Sequence, residues 1–230
     1  GRRPNKDKPN LKQNNEVRPP PTLTRVSVEH HKHQECGSTV NNSVRSMIIN
    51  FQSLAPKKAD LWDIIERTKP DIIFGTETWL SPDFKNSELF PSALDFEIFR
   101  KDRADGYGGV LLAIKRHLQP HEVKSTTNAE THAEAVFAKI KTGNINVTLG
   151  ALYRTNSTNT VEQMSELTWT LNPIDPNDVI WLGGEVNLPD IDWTRETVSG
   201  HQYQLTINTL FIDKVRDLGL TQVNDKPTRG

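Results

Sequence analysis

Pro70-Asp71-Ile72-Ile73-Phe74-Gly75-Thr76-Glu77-Thr78-Trp79-Leu80 is the stretch on which the reading of the fold turns. Its run from Ile72 is continuously apolar, short, and opened by Pro-Asp, as expected of a strand buried on both faces rather than one alternating between core and water. Upstream, residues 60–68 place Leu61, Ile64 and Ile65 at helical spacing, and residues 44–50 (VRSMIIN) form another apolar run with β character. A strand, a helix and a second buried strand predict an α/β layer architecture. Downstream, strand-like runs recur at 96–100, 109–115, 135–141, 146–153 and 179–183, with helical patterns at 161–171 and 203–218. Strands follow one another without helices across 96–153. That argues against a regular βαβ winding and for a sheet-on-sheet core with helices outside.

Polar residues at the ends of these strands are the candidates for chemistry. Asn50 ends the first run, Glu77 the second and Tyr153 another, while Glu185 and Asn187 follow Val179-Ile180-Trp181-Leu182 and two glycines. Each has an ordinary structural reading: a strand-end glutamate is usually solvated, a strand-end tyrosine usually packs, and Gly-Gly is usually a turn. Their joint arrangement on one rim is what points to function. Carboxylates suit a hard divalent cation such as Mg²⁺, which keeps several waters, and Asn and Tyr can orient a phosphate or stabilise charge developing on it. Arg100, Arg103 and Arg154, with Lys101, are candidate contacts to DNA phosphates, against the alternative of solvated surface charge. Glu134 is read equally as a rim residue or a solvated one.

The whole chain carries 28 Lys+Arg against 29 Asp+Glu, a net charge of −1, so bulk electrostatics give no argument for nucleic-acid binding. That average hides a division. Up to position 44 there are eight basic and four acidic residues, together with Pro4, Pro9 and Pro19-Pro20-Pro21 and almost no aliphatic periodicity. Such a segment cannot bury enough surface to offset the entropy of ordering it. Residues 1–43 are therefore expected to be a disordered basic, Pro-rich arm, and residues 44–230 the globular domain. The His30-His31-Lys32-His33-Gln34-Glu35-Cys36 cluster contains zinc-ligand residue types but fits no closed tetrahedral spacing, so a solvated stretch is favoured. One cysteine excludes a disulfide-stapled scaffold and favours a reducing compartment. No apolar run approaches the roughly 20 residues of a membrane span, and the start lacks a signal-peptide pattern. The expectation is a soluble intracellular protein.

Four elements then carry a specific resemblance: Asn50-Phe51-Gln52-Ser53-Leu54; Pro70 to Leu80; Arg100-Lys101-Asp102-Arg103 with Gly108-Gly109-Val110; and Gly183-Gly184-Glu185-Val186-Asn187-Leu188-Pro189-Asp190-Ile191-Asp192-Trp193. In this order they resemble the endonuclease domain of LINE-type (non-LTR) retrotransposons, of the endonuclease/exonuclease/phosphatase superfamily that includes DNase I and the apurinic endonucleases. The resemblance covers about residues 44–230. It implies a DNase I-like α/β fold, a four-layer sandwich of two mixed β-sheets flanked by helices with the active site at one rim. It also implies a metal-dependent endonuclease that uses Mg²⁺, with Mn²⁺ as the alternative ion, and nicks target DNA to leave a 3′ hydroxyl for primed reverse transcription. Implied partners are DNA and, through a linked reverse transcriptase, element RNA, with a monomer acting in the nucleus and no membrane. Matched residue by residue, Asn50 would help bind metal or phosphate, and Glu77 would be the principal Mg²⁺ ligand. Tyr153 would contact the scissile phosphate, and Asn187 would orient phosphate or nucleophile.

Two departures qualify the match. Glu185 stands where the family has Asp, at a position thought to align or deprotonate the attacking water, and Val186 stands where Phe is usual. One added methylene moves a carboxylate by roughly 1 Å, a displacement that can cost about 100-fold in rate. The family also continues past its Pro-Thr-Arg element, here Pro227-Thr228-Arg229, into a Leu-Asp-Leu strand and a Ser-Asp-His element. His117, His121, His132 and His201 lie in no such context. The expectation is a C-terminally incomplete domain with uncovered strand edges and weakened activity. The alternative reading is a catalytically silent relic that binds nucleic acid or a protein partner; a phosphatase of the same superfamily is a third. Asp190 and Asp192 look like a carboxylate pair, but the resemblance favours a structural role for their loop.

Overall fold

The computed structural model describes residues 22–24, 43–123, 133–157, 159–172, 174–175 and 177–223. The first sheet comprises β1 (Thr22–Thr24), β2 (Ser46–Asn50), β3 (Ile72–Thr76), β4 (Phe96–Lys101) and β5 (Val110–Lys115), in the order β1-β2-β3-β5-β4. The second comprises β6 (His121–Val123), β7 (Glu134–Thr142), β8 (Ile145–Tyr153) and β9 (Val179–Glu185), in sequential order. A short hairpin, β10 (Ile191–Asp192) with β11 (Thr197–Val198), lies beyond. Both large sheets are mixed, each with one parallel pair: β2 with β3, and β8 with β9. A helix bridges each pair, α1 (Lys58–Thr68) in the first and α3 (Val161–Trp169) in the second, because a parallel connection must cross over the sheet. Helices α2 (Asn86–Leu89) and α4 (Leu205–Asp217) complete the set.

The apolar run from Ile72 is buried along its whole length for the expected reason. Ile72 and Phe74 face the second sheet, where they meet Val136, Val147 and Leu149, while Ile73 faces α1 and packs with Leu61 and Ile65. Beyond the second sheet, Phe137 and Leu152 pack with Met164 of α3 and Phe211 of α4. Helix, sheet, sheet and helix are therefore four layers with three apolar interfaces. Gly183 lets the sheets meet closely, since a Cβ there would lie 2.4 Å from Phe74 Cγ. Leu149 is wholly buried between the sheets. Leu149→Ala should cost about 3 kcal/mol, seen as a lower urea midpoint at unchanged slope.

Local sequence sets the element ends. Helix α1 stops where Lys69 turns left-handed, donating its N–H to the Ile65 carbonyl at 2.8 Å, and Pro70 prevents continuation. Helix α3 starts at a capping box: Gln163 N–H donates to Thr160 Oγ1 at 3.2 Å, and Thr160 N–H donates to Gln163 Oε1 at 3.3 Å. The expected strands and helices form with small shifts of boundary, while β1, α2, β6, β10 and β11 were not foreseen. Residues 22–24, within the stretch expected to be a disordered arm, pair antiparallel with β2. The His30–Cys36 cluster, His132 and Pro227-Thr228-Arg229 lie outside the described residues. Among the described residues β9 pairs only with β8, and an apolar groove lined by Ile180, Leu182, Trp193 and Phe211 runs beside it.

Candidate active site

Three strand ends meet where the two sheets share a rim. Asn50 closes β2, Glu77 follows β3, and Glu185 closes β9. Asn50 Nδ2 donates to Glu77 Oε1 at 2.7 Å and to Glu185 Oε2 at 2.6 Å, joining residues 135 positions apart. Asn50 Oδ1 accepts the Gln52 N–H at 3.2 Å, which fixes the amide with its nitrogen toward the carboxylates. Glu134, Tyr153 and Glu185 stand abreast on β7, β8 and β9 in direct register. The Tyr153 hydroxyl bonds to Glu77, so both sheets contribute to one cluster.

Two carboxylates within reach of one amide are a set of hard oxygen donors, which suits a cation that takes one or two carboxylates and fills its remaining positions with water. Among the described residues no group of three or more His, Cys, Asp or Glu side chains is built to hold a metal. Burial, followed by the nearby Glu77, holds the Tyr153 hydroxyl well above the ordinary range, so it is a proton donor at neutral pH. The folded value lies above the unfolded one, near 10. The stability linked to Tyr153 is therefore whole below pH about 10 and lost as pH rises through the folded value. Wild type and Tyr153→Phe should differ by a constant amount in urea denaturation below that pH, with the wild type losing ground above it.

The Endonuclease/Exonuclease/phosphatase family matches residues 44–206, most of the chain. The chain belongs to this family. Among the solved structures that share the fold of this Endonuclease/Exonuclease/phosphatase chain are the following three. The endonuclease domain of TRAS1, a telomere-specific non-LTR retrotransposon, is 18% identical with a TM-score of 0.55, over 80% of this chain and 77% of that one. An AP endonuclease from Archaeoglobus fulgidus is 17% identical with a TM-score of 0.56, over 76% and 70%. The 3′ phosphatase NExo from Neisseria is 14% identical with a TM-score of 0.57, over 76% and 71%. No curated protein matches.

The other candidate residues of this Endonuclease/Exonuclease/phosphatase chain sit less simply. Asn187 is at the rim with left-handed backbone (φ 48°), but its Nδ2 donates to the Arg154 carbonyl at 2.8 Å. Arg154 is 2% exposed; its Nη1 donates to the carbonyls of Asn187 at 2.8 Å and Val186 at 3.3 Å, and its guanidinium lies 4.4 Å from the centre of the Tyr203 ring. Arg100 is turned inward to the Ser81 carbonyl at 3.3 Å, the Phe84 carbonyl, and Asp102 at 3.3 Å. Both arginines were expected at DNA phosphates and instead support loops, because each finds buried carbonyls that need a donor. Arg103 alone of the three is substantially exposed. Asp190 caps the turn before α4, accepting N–H bonds from Gln202 at 3.0 Å and Tyr203 at 2.7 Å, and Asp192 pairs with Arg195 at 2.9 Å, so they form no shared site.

Glu134 is the residue on which the sequence was undecided. It is buried at 3% exposure, accepting from Gly109 N–H and from Arg103 Nη1 at 3.1 Å. Burial raises its pKa, against the pull of those donors. Its place opposite Tyr153 could have been read from the alternation of β7 and β8 once their pairing was known.

Proposed function

We propose that the chain is a metal-dependent DNA endonuclease that nicks target DNA and leaves a 3′ hydroxyl to prime reverse transcription, as in retrotransposition. The observation that carries this reading is the convergence of Asn50, Glu77, Tyr153 and Glu185 from two sheets onto one rim. Family membership supports phosphoester chemistry, and the structures sharing the fold include a retrotransposon endonuclease, an AP endonuclease and a 3′ phosphatase.

Glu77 is the principal ligand in this reading, with Glu185 beside it, for Mg²⁺ or alternatively Mn²⁺. Bound there, the ion supplies Lewis-acid stabilisation of charge on the phosphate and leaving oxygens. Asn50 is assigned an orienting role in place of ligation, since it offers the carboxylates its nitrogen. Glu185, held by Asn50, aligns the attacking water, and Tyr153, its hydroxyl bonded to Glu77, contacts the scissile phosphate. Asn187 braces the strand-end turn through Arg154. Phosphate contact falls to Arg103 rather than Arg100 or Arg154. DNA is the substrate and a linked reverse transcriptase the route to element RNA. The domain acts as a monomer, in the nucleus where genomic DNA lies; no described helix is long and apolar enough to cross a membrane.

Supercoiled plasmid incubated with the protein and Mg²⁺ tests the reading. Open-circle product that needs both Mg²⁺ and Glu77 is the expected result. Intact plasmid, or nicking that survives loss of Glu77, overturns it and leaves a nucleic-acid- or protein-binding module as the alternative.

A further inference from the structure

Two residues beyond Glu77, the Trp79 ring meets that of Tyr107 edge to face, centroids 5.4 Å apart and planes at 70°. Tyr107 is 63% exposed, an unusual position for a large ring that contributes nothing to any of the three cores. The two are held side by side by backbone: Trp79 N–H donates to the Gly108 carbonyl at 2.9 Å, and Thr78 N–H to that of Gly109 at 3.3 Å. Trp79 itself is left-handed (φ 51°), a conformation that costs a bulky residue energy and persists only where its surroundings impose it.

Everything behind the pair restrains it. Glu134 holds Gly109 N–H and Arg103; Arg103 also engages Asp105; and Asp105 Oδ1 accepts the Tyr107 N–H at 3.1 Å. Gly108 fits only as glycine, since φ is +73° and a Cβ would lie 2.6 Å from Glu134 Oε2. Each of these ties ends on the segment that carries Tyr107. The exposed ring is thus fixed in advance, so little ordering entropy opposes its use in binding.

We propose that Trp79 and Tyr107 form a nucleobase-stacking lip beside Glu77, which receives a base unstacked from the DNA duplex, and that Glu134 is the positioning residue that clamps it. The proposal rests on the endonuclease reading and adds what that reading lacks, a basis for choosing where to cut. Every base offers a π face, so stacking tolerates sequence. What it selects is ease of unstacking, which is greatest where a base is mismatched. Arg103, on the same loop and partly exposed, sets a cation beside the strand.

Anisotropy of two fluorescein-labelled duplexes in EDTA, one fully paired and one with a single mismatch, provides the test. The wild type should bind the mismatched duplex about tenfold more tightly. Tyr107→Ala and Tyr107→Leu should both lose that preference while holding affinity for the paired duplex within about twofold, and Tyr107→Phe should keep it. Leu retains apolar bulk without a π face, and the exposure of position 107 leaves the core untouched in every variant. Glu134→Gln, which keeps an acceptor for Gly109 but weakens the hold on Arg103, should reduce the preference and raise KM for nicking more than it lowers kcat. A Tyr107→Ala protein that keeps the mismatch preference sinks the lip, and leaves the endonuclease reading standing if the wild type still nicks plasmid. A wild type that binds neither duplex overturns both.

Discussion

Glu77→Gln should slow plasmid nicking by about a thousandfold while the protein stays folded. Glu77 leaves the β3 ladder with φ 50°, turning its carboxylate away from the strand pair and into the space shared with Asn50, Tyr153 and Glu185. Glutamine keeps the length of the side chain and an oxygen to accept from Asn50 Nδ2 and the Tyr153 hydroxyl. What disappears is the negative charge, and with it the ligand assigned to the divalent ion. Removing one preorganised electrostatic group from such a site typically costs 10²–10³ in turnover, and in the metal-dependent reading the loss of a ligand to the ion would add to this. Glu77→Asp makes a graded comparison, since retraction by about 1 Å should cost about 100-fold. Conversion of supercoiled to open-circle plasmid across a Mg²⁺ titration measures both, and a thermal midpoint close to wild type separates chemistry from folding. Equal activity in all three proteins would remove Glu77 from the mechanism.

Gly184→Ala should destabilise the fold by more than about 4 kcal/mol, a size reserved for a few mechanisms of disruption. Gly184 has φ +136°, which L residues rarely adopt, and an added Cβ would lie 1.9 Å from the Leu152 carbonyl oxygen. That oxygen is backbone of the neighbouring strand, since Leu152 and Gly184 are partners in the parallel β8–β9 register. It cannot rotate aside as a side chain would. Relief requires β9 to move away from β8, which breaks the ladder beside Glu185 and lifts that carboxylate from Asn50. Urea denaturation should therefore show a much lower midpoint, and whatever protein remains folded should nick poorly even at saturating Mg²⁺. A wild-type midpoint would mean that β9 accommodates the methyl group and that the close strand contact carries little weight.

Much of this was legible before any fold was known. Continuous apolar runs mark β3 and β5 because burial on both faces leaves no polar side in the sequence. The spacing of Leu61, Ile64 and Ile65 marks α1 in the same way. Strand ends also identified Asn50, Glu77, Tyr153 and Glu185, since a polar residue finishing an apolar strand must emerge at an edge. The short elements α2, β6, β10 and β11 were not legible: two to four residues cannot show a period, and their partners are distant in sequence. The fate of the arginines was equally hidden. Nothing near Arg154 says that it will be 2% exposed, because the Val186 and Asn187 carbonyls and the Tyr203 ring that enclose it are 32 to 49 positions away.

The sequence alone determined the kind of strand and helix each segment makes, the layering that follows, and the residue types available at the rim, because these depend on local periodicity and side-chain chemistry. Tertiary structure decided which of those residues meet. Only the pairing of β8 with β9 and the packing of one sheet on the other bring Glu185 within a hydrogen bond of Asn50. The same packing turns Asn50 into a donor, buries Arg154, and sets Glu134 behind the exposed Tyr107. Each of these outcomes rests on contacts between positions far apart in the chain, which burial and hydrogen-bond satisfaction select only when the whole domain closes.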